Sequence, residues 1–122
     1  MTSKKLAQAI AQLTLTKKAE DVVILDLRRL TNVTDYFVIC SGQTDLQVRA
    51  ISNAVIDGLR QKKIKPWHIE GYEVSSWVLL DFVDVVVHIF QPPIRDYYRL
   101  EELWGDAPVT IVADTIIPPA KG

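Results

Sequence analysis

The stretch TDYFVICSGQTDLQVRAISNAVIDGL, Thr34 to Leu59, decides the fold. Asp35 to Cys40 is apolar on both faces of a strand, with Tyr36, Val38 and Cys40 alternating with Phe37 and Ile39. A strand of that kind belongs inside a sheet covered on both sides. Ser41-Gly42 ends it. Thr44 and Gln47 then have the spacing of a capping box, in which two polar side chains satisfy free N–H groups at a helix start. Val48, Ile51, Val55 and Leu59 follow at helical intervals and predict a helix to about Lys62. Its last turn (Arg60, Lys62, Lys63) is cationic, which suits the helix dipole.

Outward from this unit, Leu6, Ile10 and Leu13 share one helical face and predict a helix from about Ser3 to Lys17, capped by Thr2 or Ser3. Asp21 to Arg28 is rich in β-branched residues and reads as a strand. Its odd positions Val23, Leu25 and Leu27 face a core, while the even face ends polar at Asp26 and Arg28. On the other side, Pro66 stops the second helix, and Trp67 to Gly71 is a short strand and turn. Ser76 to Leu80 and Val85 to Phe90 form a hairpin. Pro92-Pro93 opens a third helix carrying Tyr97, Leu100 and Trp104. The order α-β-β-α-β-β-β-α predicts a single α/β (α+β) domain, 1–107, with a mixed β-sheet flanked by helices. A C-terminal tail, 108–122, contains one β-prone run, Val109 to Val112.

At 122 residues the chain fits one domain, since domains hold roughly 100–200 residues. Its net charge is −1, from 14 basic and 15 acidic side chains. That balance argues against holding nucleic acid through phosphates alone. The halves differ, however. Residues 1–65 hold 11 basic and 6 acidic side chains, and residues 66–122 hold 3 and 9. The second half thus offers an acidic surface suited to a basic partner. Cys40 stands alone, so neither a disulfide framework nor a thiolate metal cage is expected. No apolar run approaches the roughly 20 residues that cross a bilayer. The early apolar residues are spaced along a helix instead of forming a signal-peptide core. The expectation is a cytoplasmic protein with no membrane contact.

Catalytic chemistry finds incomplete motifs. His68-Ile69-Glu70 matches half of a zinc-deaminase signature, but the P-C-x-x-C half has no counterpart. Asp84 and His88 share a strand face about 13 Å apart, too far for one to orient the other. His88 therefore reads as a buried histidine with its hydrogen bonds satisfied, and Cys40 as a small hydrophobe. Ser41-Gly42 before a helix is similar to the phosphate-holding turn of nucleotidyltransferases, with the dipeptide reversed. Asp81 and Asp84, three apart, fall on opposite strand faces unless a turn joins them. No catalytic, cofactor, metal or small-molecule site is expected. The alternative is a magnesium-dependent enzyme of nucleotidyltransferase type using Asp81, Asp84 and Asp26.

The remaining signal is a surface. Trp77, Leu79 and Asp81 share one strand face. Tyr97, Tyr98, Glu101, Glu102 and Trp104 crowd the third helix. Large aromatic rings concentrate at the energetic centres of protein interfaces, and flanking carboxylates steer a cationic partner. The plain reading, with Trp77 and Trp104 in the core, competes with it.

The strings TDYFVICSG (Thr34 to Gly42), Gln47 with Ala50-Ile51, Glu70-Gly71, WVLLD (Trp77 to Asp81), DVVVHIF (Asp84 to Phe90) and RDYYRLEELW (Arg95 to Trp104) occur in that order. Together they resemble the ribosomal silencing factor, or Iojap-like, family over residues 3–107. The resemblance implies a nucleotidyltransferase-like fold without the catalytic site, and a homodimer that acts as a translational repressor. It implies binding to the large ribosomal subunit through its fourteenth ribosomal protein, which blocks association with the small subunit when nutrients are limiting. On that reading Glu70, Trp77, Leu79, Asp81 and Tyr98, with Tyr97 and Glu102, are the expected ribosomal-protein contacts, and the basic first half adds weak contact to ribosomal RNA. A dimeric adaptor for another basic protein is the second alternative. The family commonly has glycine at the positions of Val83 and near Lys63, so this chain is expected to use different turns there or to accept local strain.

Overall fold

The computed structural model describes residues 1–112. The order of its elements is α1 (Ser3–Leu15), β1 (Glu20–Asp26), β2 (Tyr36–Ser41), α2 (Asp45–Arg60), β3 (His68–Glu70), β4 (Trp77–Asp81), β5 (Val85–Phe90), α3 (Pro92–Tyr98), α4 (Leu100–Leu103) and β6 (Val109–Ile111). The six strands form one mixed sheet in the order β3-β4-β5-β2-β1-β6. β2 and β5 run parallel at its centre, from Tyr36 opposite Val85 to Ser41 opposite Phe90. Every other pairing is antiparallel.

The expected helices and strands form, with shifts at their ends. Thr2 caps α1 by accepting a hydrogen bond from the Lys5 N–H at 3.1 Å. The helix stops at Leu15, two residues short of the expected Lys17. Lys18 takes a positive φ of 62°, and its N–H closes on the Leu15 carbonyl. Thr44 caps α2 through the Gln47 N–H at 3.1 Å, and the Gln47 side chain reaches back to the Gln43 N–H at 2.7 Å. Val48, Ile51, Val55 and Leu59 are all fully buried, as their spacing predicts. β1 departs from expectation on its even face, where Val22 and Ile24 are buried between the polar ends Glu20 and Asp26. The segment set apart as a tail, 108–122, begins with β6, which pairs with β1 from Val109 opposite Leu25 to Ile111 opposite Val23. Its remainder, from 113, lies outside the described residues.

Strand alternation gives the sheet two apolar faces. One carries Val22, Ile24, Val38, Cys40, Val78, Leu80, Val85, Val87 and Ile89, and α1 and α2 pack across it to form the larger core. The other carries Leu25, Ile39 and Phe90, and only Ile94, Leu100 and Trp104 from the α3–α4 segment reach it. The expected third helix is in fact broken. Arg99 adopts a left-handed conformation (φ 49°, ψ 53°), and its N–H closes α3 on the Arg95 carbonyl at 2.9 Å. The break turns Leu100 and Trp104 inward while Tyr97 remains 79% exposed. One unbroken helix would place Tyr97, Leu100 and Trp104 on the same face. Arg95 secures the break through two bonds to Glu101, at 2.6 and 3.0 Å, and one to the Ser41 hydroxyl at 2.8 Å.

The two turns expected to be unusual both hold a residue at positive φ, Lys63 at 62° and Val83 at 74°. At Val83 the Asp84 N–H bonds to the Phe82 carbonyl at 2.9 Å, so the β4–β5 connection contains a γ-turn. The Val83 N–H is meanwhile held by Asp81 Oδ1 at 2.7 Å. A β-branched residue there costs about 1–3 kcal/mol in backbone strain. Glycine at the Gly71 turn is required outright, because a Cβ there would meet the Trp77 carbonyl oxygen at 2.0 Å. Val83→Gly is expected to stabilise the fold by about 1 kcal/mol, after allowing for the greater freedom glycine has when unfolded. A rise in melting temperature in calorimetry checks this, and a fall would show that Val83 is not strained.

Candidate functional site

Register decides what stands on the less covered face. Glu70 lies opposite Leu79, Leu79 opposite His88, and His88 opposite Ile39, so one row crosses four strands. In the neighbouring row Trp77 lies opposite Phe90, and on the other side Asp81 lies opposite both His68 and Val86. The α3–α4 segment covers the β1–β2 side of this face and leaves β4 half open. The uncovered part is an aromatic patch. The Trp77 ring lies 4.9 Å from that of Phe90 and 4.9 Å from that of Tyr98, and Tyr98 meets Tyr97 at 5.0 Å. Tyr98 is 52% exposed.

The core reading of Trp77 accounts for only part of the ring. Its inner side packs on the smaller core, and the remainder lies among exposed rings. Glu70, Trp77, Leu79, Asp81 and Tyr98 converge on this face, and Tyr97 extends it. Glu70 Oε2 stands 2.7 Å from His68 Nε2. Glu102 sits apart on α4, paired with Arg99 at 3.6 Å.

His88 is the residue whose role the sequence did not reveal. It is 4% exposed, and its Nδ1 accepts the indole N–H of Trp77 at 3.1 Å. Its Nε2 is buried without a partner. The expectation of a fully satisfied histidine is thus corrected: one nitrogen fixes Trp77 and the other is orphaned. Burial pushes the imidazole down to about 4, so the ring is neutral near pH 7. The signal lay in the hairpin register, which pairs His88 with Leu79, but spacing alone cannot supply register.

The groups of the enzyme alternative do not assemble. Asp26 on β1 is engaged by the Arg28 side chain at 2.7 and 2.9 Å, which holds its carboxyl below the usual range. β2 and β5 separate it from Asp81, a gap of about 14 Å at the usual strand spacing. Asp84 belongs to the γ-turn, and its carbonyl accepts from Asp35 and Tyr36. The Ser41 hydroxyl faces Arg95. Burial pushes the Cys40 thiol up to about 12, so it is no nucleophile at neutral pH. Among the described residues no group of three or more His, Cys, Asp or Glu is placed to hold a metal ion, and no helix is long and apolar enough to cross a membrane.

A family model described as "Ribosomal silencing factor during starvation" matches residues 1–121. The chain belongs to this family. A ribosomal silencing factor from Bacillus subtilis is 42% identical over 109 residues, covering 89% of this chain and 92% of that protein. One from Halalkalibacterium halodurans is 42% identical over 108 residues, covering 88% and 92%. A crystal structure of a protein from Chromobacterium violaceum superposes with a TM-score of 0.84 at 30% identity, covering 99% of this chain and 98% of that one. The fold is therefore shared with that protein over nearly its whole length.

His88 makes stability depend on pH. Unfolded, it takes up a proton near 6.5, and folded only near 4. Between these values the unfolded chain binds more protons, so its contribution is complete above pH 6.5 and is lost as pH falls toward 4. The expected loss is about 3 kcal/mol across that window. Denaturant titrations at pH 7 and pH 4.5 measure it, and His88→Phe should flatten this part of the profile.

Proposed function

We propose that this chain is a non-enzymatic repressor of translation in the cytoplasm. It binds the large ribosomal subunit through that subunit's fourteenth protein and sterically blocks association with the small subunit. The carrying observation is the Trp77–Tyr98 patch on a half-covered sheet face, with Glu70 and Asp81 along the same strands. The rings supply apolar contact, the carboxylates select a cationic partner, and the names of the relatives supply the ribosome. Tyr97 extends the contact, and Glu102 sits at its margin.

No chemical step is needed. A bound domain, or a homodimer of it, occupies a joint that must otherwise close. Repression then follows mass action: it scales with the fraction of large subunits occupied and is relieved by excess small subunit.

Tyr98→Ala combined with Trp77→Ala is expected to weaken co-sedimentation with purified large subunits by about 30-fold or more, as loss of an interface centre does. Tyr98→Ala alone removes a half-exposed ring and should lower melting only slightly, which separates lost binding from lost folding. Unchanged co-sedimentation of both variants would remove this face from consideration. Saturable nucleotide binding in calorimetry would overturn the non-enzymatic reading.

A weaker contact with ribosomal RNA is assigned to Lys62, Lys63 and Lys65, which follow α2 and are exposed. Reversing these three charges should flatten the salt dependence of subunit binding. An unchanged salt slope would discard that contact.

A further inference from the structure

Between Leu79 on β4 and Trp104 beyond α4, the half-covered face dips into a recess of about 260 Å3. Leu27, Phe37, Leu79, Val86 and Trp104 give it apolar walls. Thr34 and His88 also line it, and the Thr34 hydroxyl and His88 Nε2 are both buried without a hydrogen-bond partner. Nδ1 of the neutral His88 ring accepts from Trp77, so Nε2 carries the proton and the orphan is a donor. Protein interiors rarely leave such groups unpaired. Here two fall in one recess that also touches Leu79 and Asp81, both part of the proposed contact face.

We infer that this recess receives one aliphatic side chain of the protein that docks on the Trp77 face. That side chain sits next to a Lys or Arg, and the main chain of the docked segment pairs with both orphaned groups, a carbonyl taking the His88 Nε–H and a second polar group meeting the Thr34 hydroxyl. The inference rests on the proposed reading of the Trp77–Tyr98 face. Each part of the chemistry selects one part of the occupant. The apolar walls select an aliphatic group, the orphaned donor an acceptor, and the Asp81 carboxylate in the lining a neighbouring cation. The volume lies below the roughly 300 Å3 at which pockets for whole small ligands begin. Because the two orphaned atoms are buried, the incoming group must shift a wall. Leu79 and Trp104 are half-buried and are the side chains placed to yield. His88 then serves both sides of the contact, orienting Trp77 with one nitrogen and bonding the partner with the other.

Two variants test this against purified large subunits in a co-sedimentation titration, beside the Trp77→Ala, Tyr98→Ala double variant. Thr34→Val keeps the shape and removes the hydroxyl. It should weaken binding about fivefold, the value of one hydrogen bond, without lowering the melting temperature. Val86→Met fills the recess and should weaken binding by at least about tenfold, the effect of overpacking a close contact. If the double variant loses binding while Thr34→Val and Val86→Met bind like the parent, the recess is empty in the complex and the inference falls, with the face reading intact. If the double variant binds normally, the face reading falls and takes the inference with it. If Val86→Met does not fold, Thr34→Val decides alone. If the two recess variants change self-association of the free protein and leave subunit binding untouched, a second copy is the occupant and the inference is wrong.

Discussion

The parallel pair β2 and β5 places apolar side chains on both faces of the sheet centre, so both faces must be covered. α1 and α2, of 13 and 16 residues, are long enough to cover one. α3 and α4, of 7 and 4 residues, are not long enough to cover the other. The rest of the structure follows from this imbalance. The larger core is closed and supplies most of the burial that holds the domain together. The smaller core is closed only over β1 and β2, and at β4 it opens into half-buried aromatic groups. Among the described residues, the short helices on this side leave that part of the face half covered.

The same imbalance explains the irregular backbone. α3 must return toward the sheet within a few residues, and it does so through a left-handed Arg99 held by the Arg95–Glu101 pair. The pair is largely shielded from water, and two guanidinium N–H groups meet one Glu101 oxygen, so it is worth more than an exposed ion pair. It also ties the helix break to the Ser41 end of β2. The Ser41-Gly42 turn is the place where the sequence invites comparison with a phosphate-holding turn. Here its hydroxyl serves the packing of the aromatic face.

Much of the fold was legible because it depends on local periodicity. The two-faced apolar run at Tyr36 to Cys40 announced a central strand, and the Val48 to Leu59 spacing announced the helix above it. The break at Arg99 was not legible, since its cause is tertiary: Leu100 and Trp104 are drawn to a core that the helix alone does not display. The even face of β1 was misjudged for the same reason, because Val22 and Ile24 are buried by α1 packing back across the strand, which the strand's own pattern does not display. At the candidate site the aromatic and acidic residues could be grouped by strand phase. The role of His88 could not, because it depends on which residue lies across the hairpin. The glycine-less turns were legible as departures, and Val83 and Lys63 do carry the positive φ that glycine would accommodate.

The central pairing also fixes a temporal order. Tyr36 and Val85 are partners across 48 intervening residues of chain growth, and β5 is complete only at Phe90. While the chain is being synthesised, α1, β1, β2 and α2 can assemble, but the outer edge of β2 remains unpaired until the β4–β5 hairpin emerges and docks alongside. Long-range parallel pairing of this kind is slow compared with local contact formation, and an open apolar edge invites wrong partners in the interval. The middle of this sheet therefore closes late, with only the β6 edge able to follow it, and the nascent chain is most exposed to misassociation at the strand that later becomes its most protected.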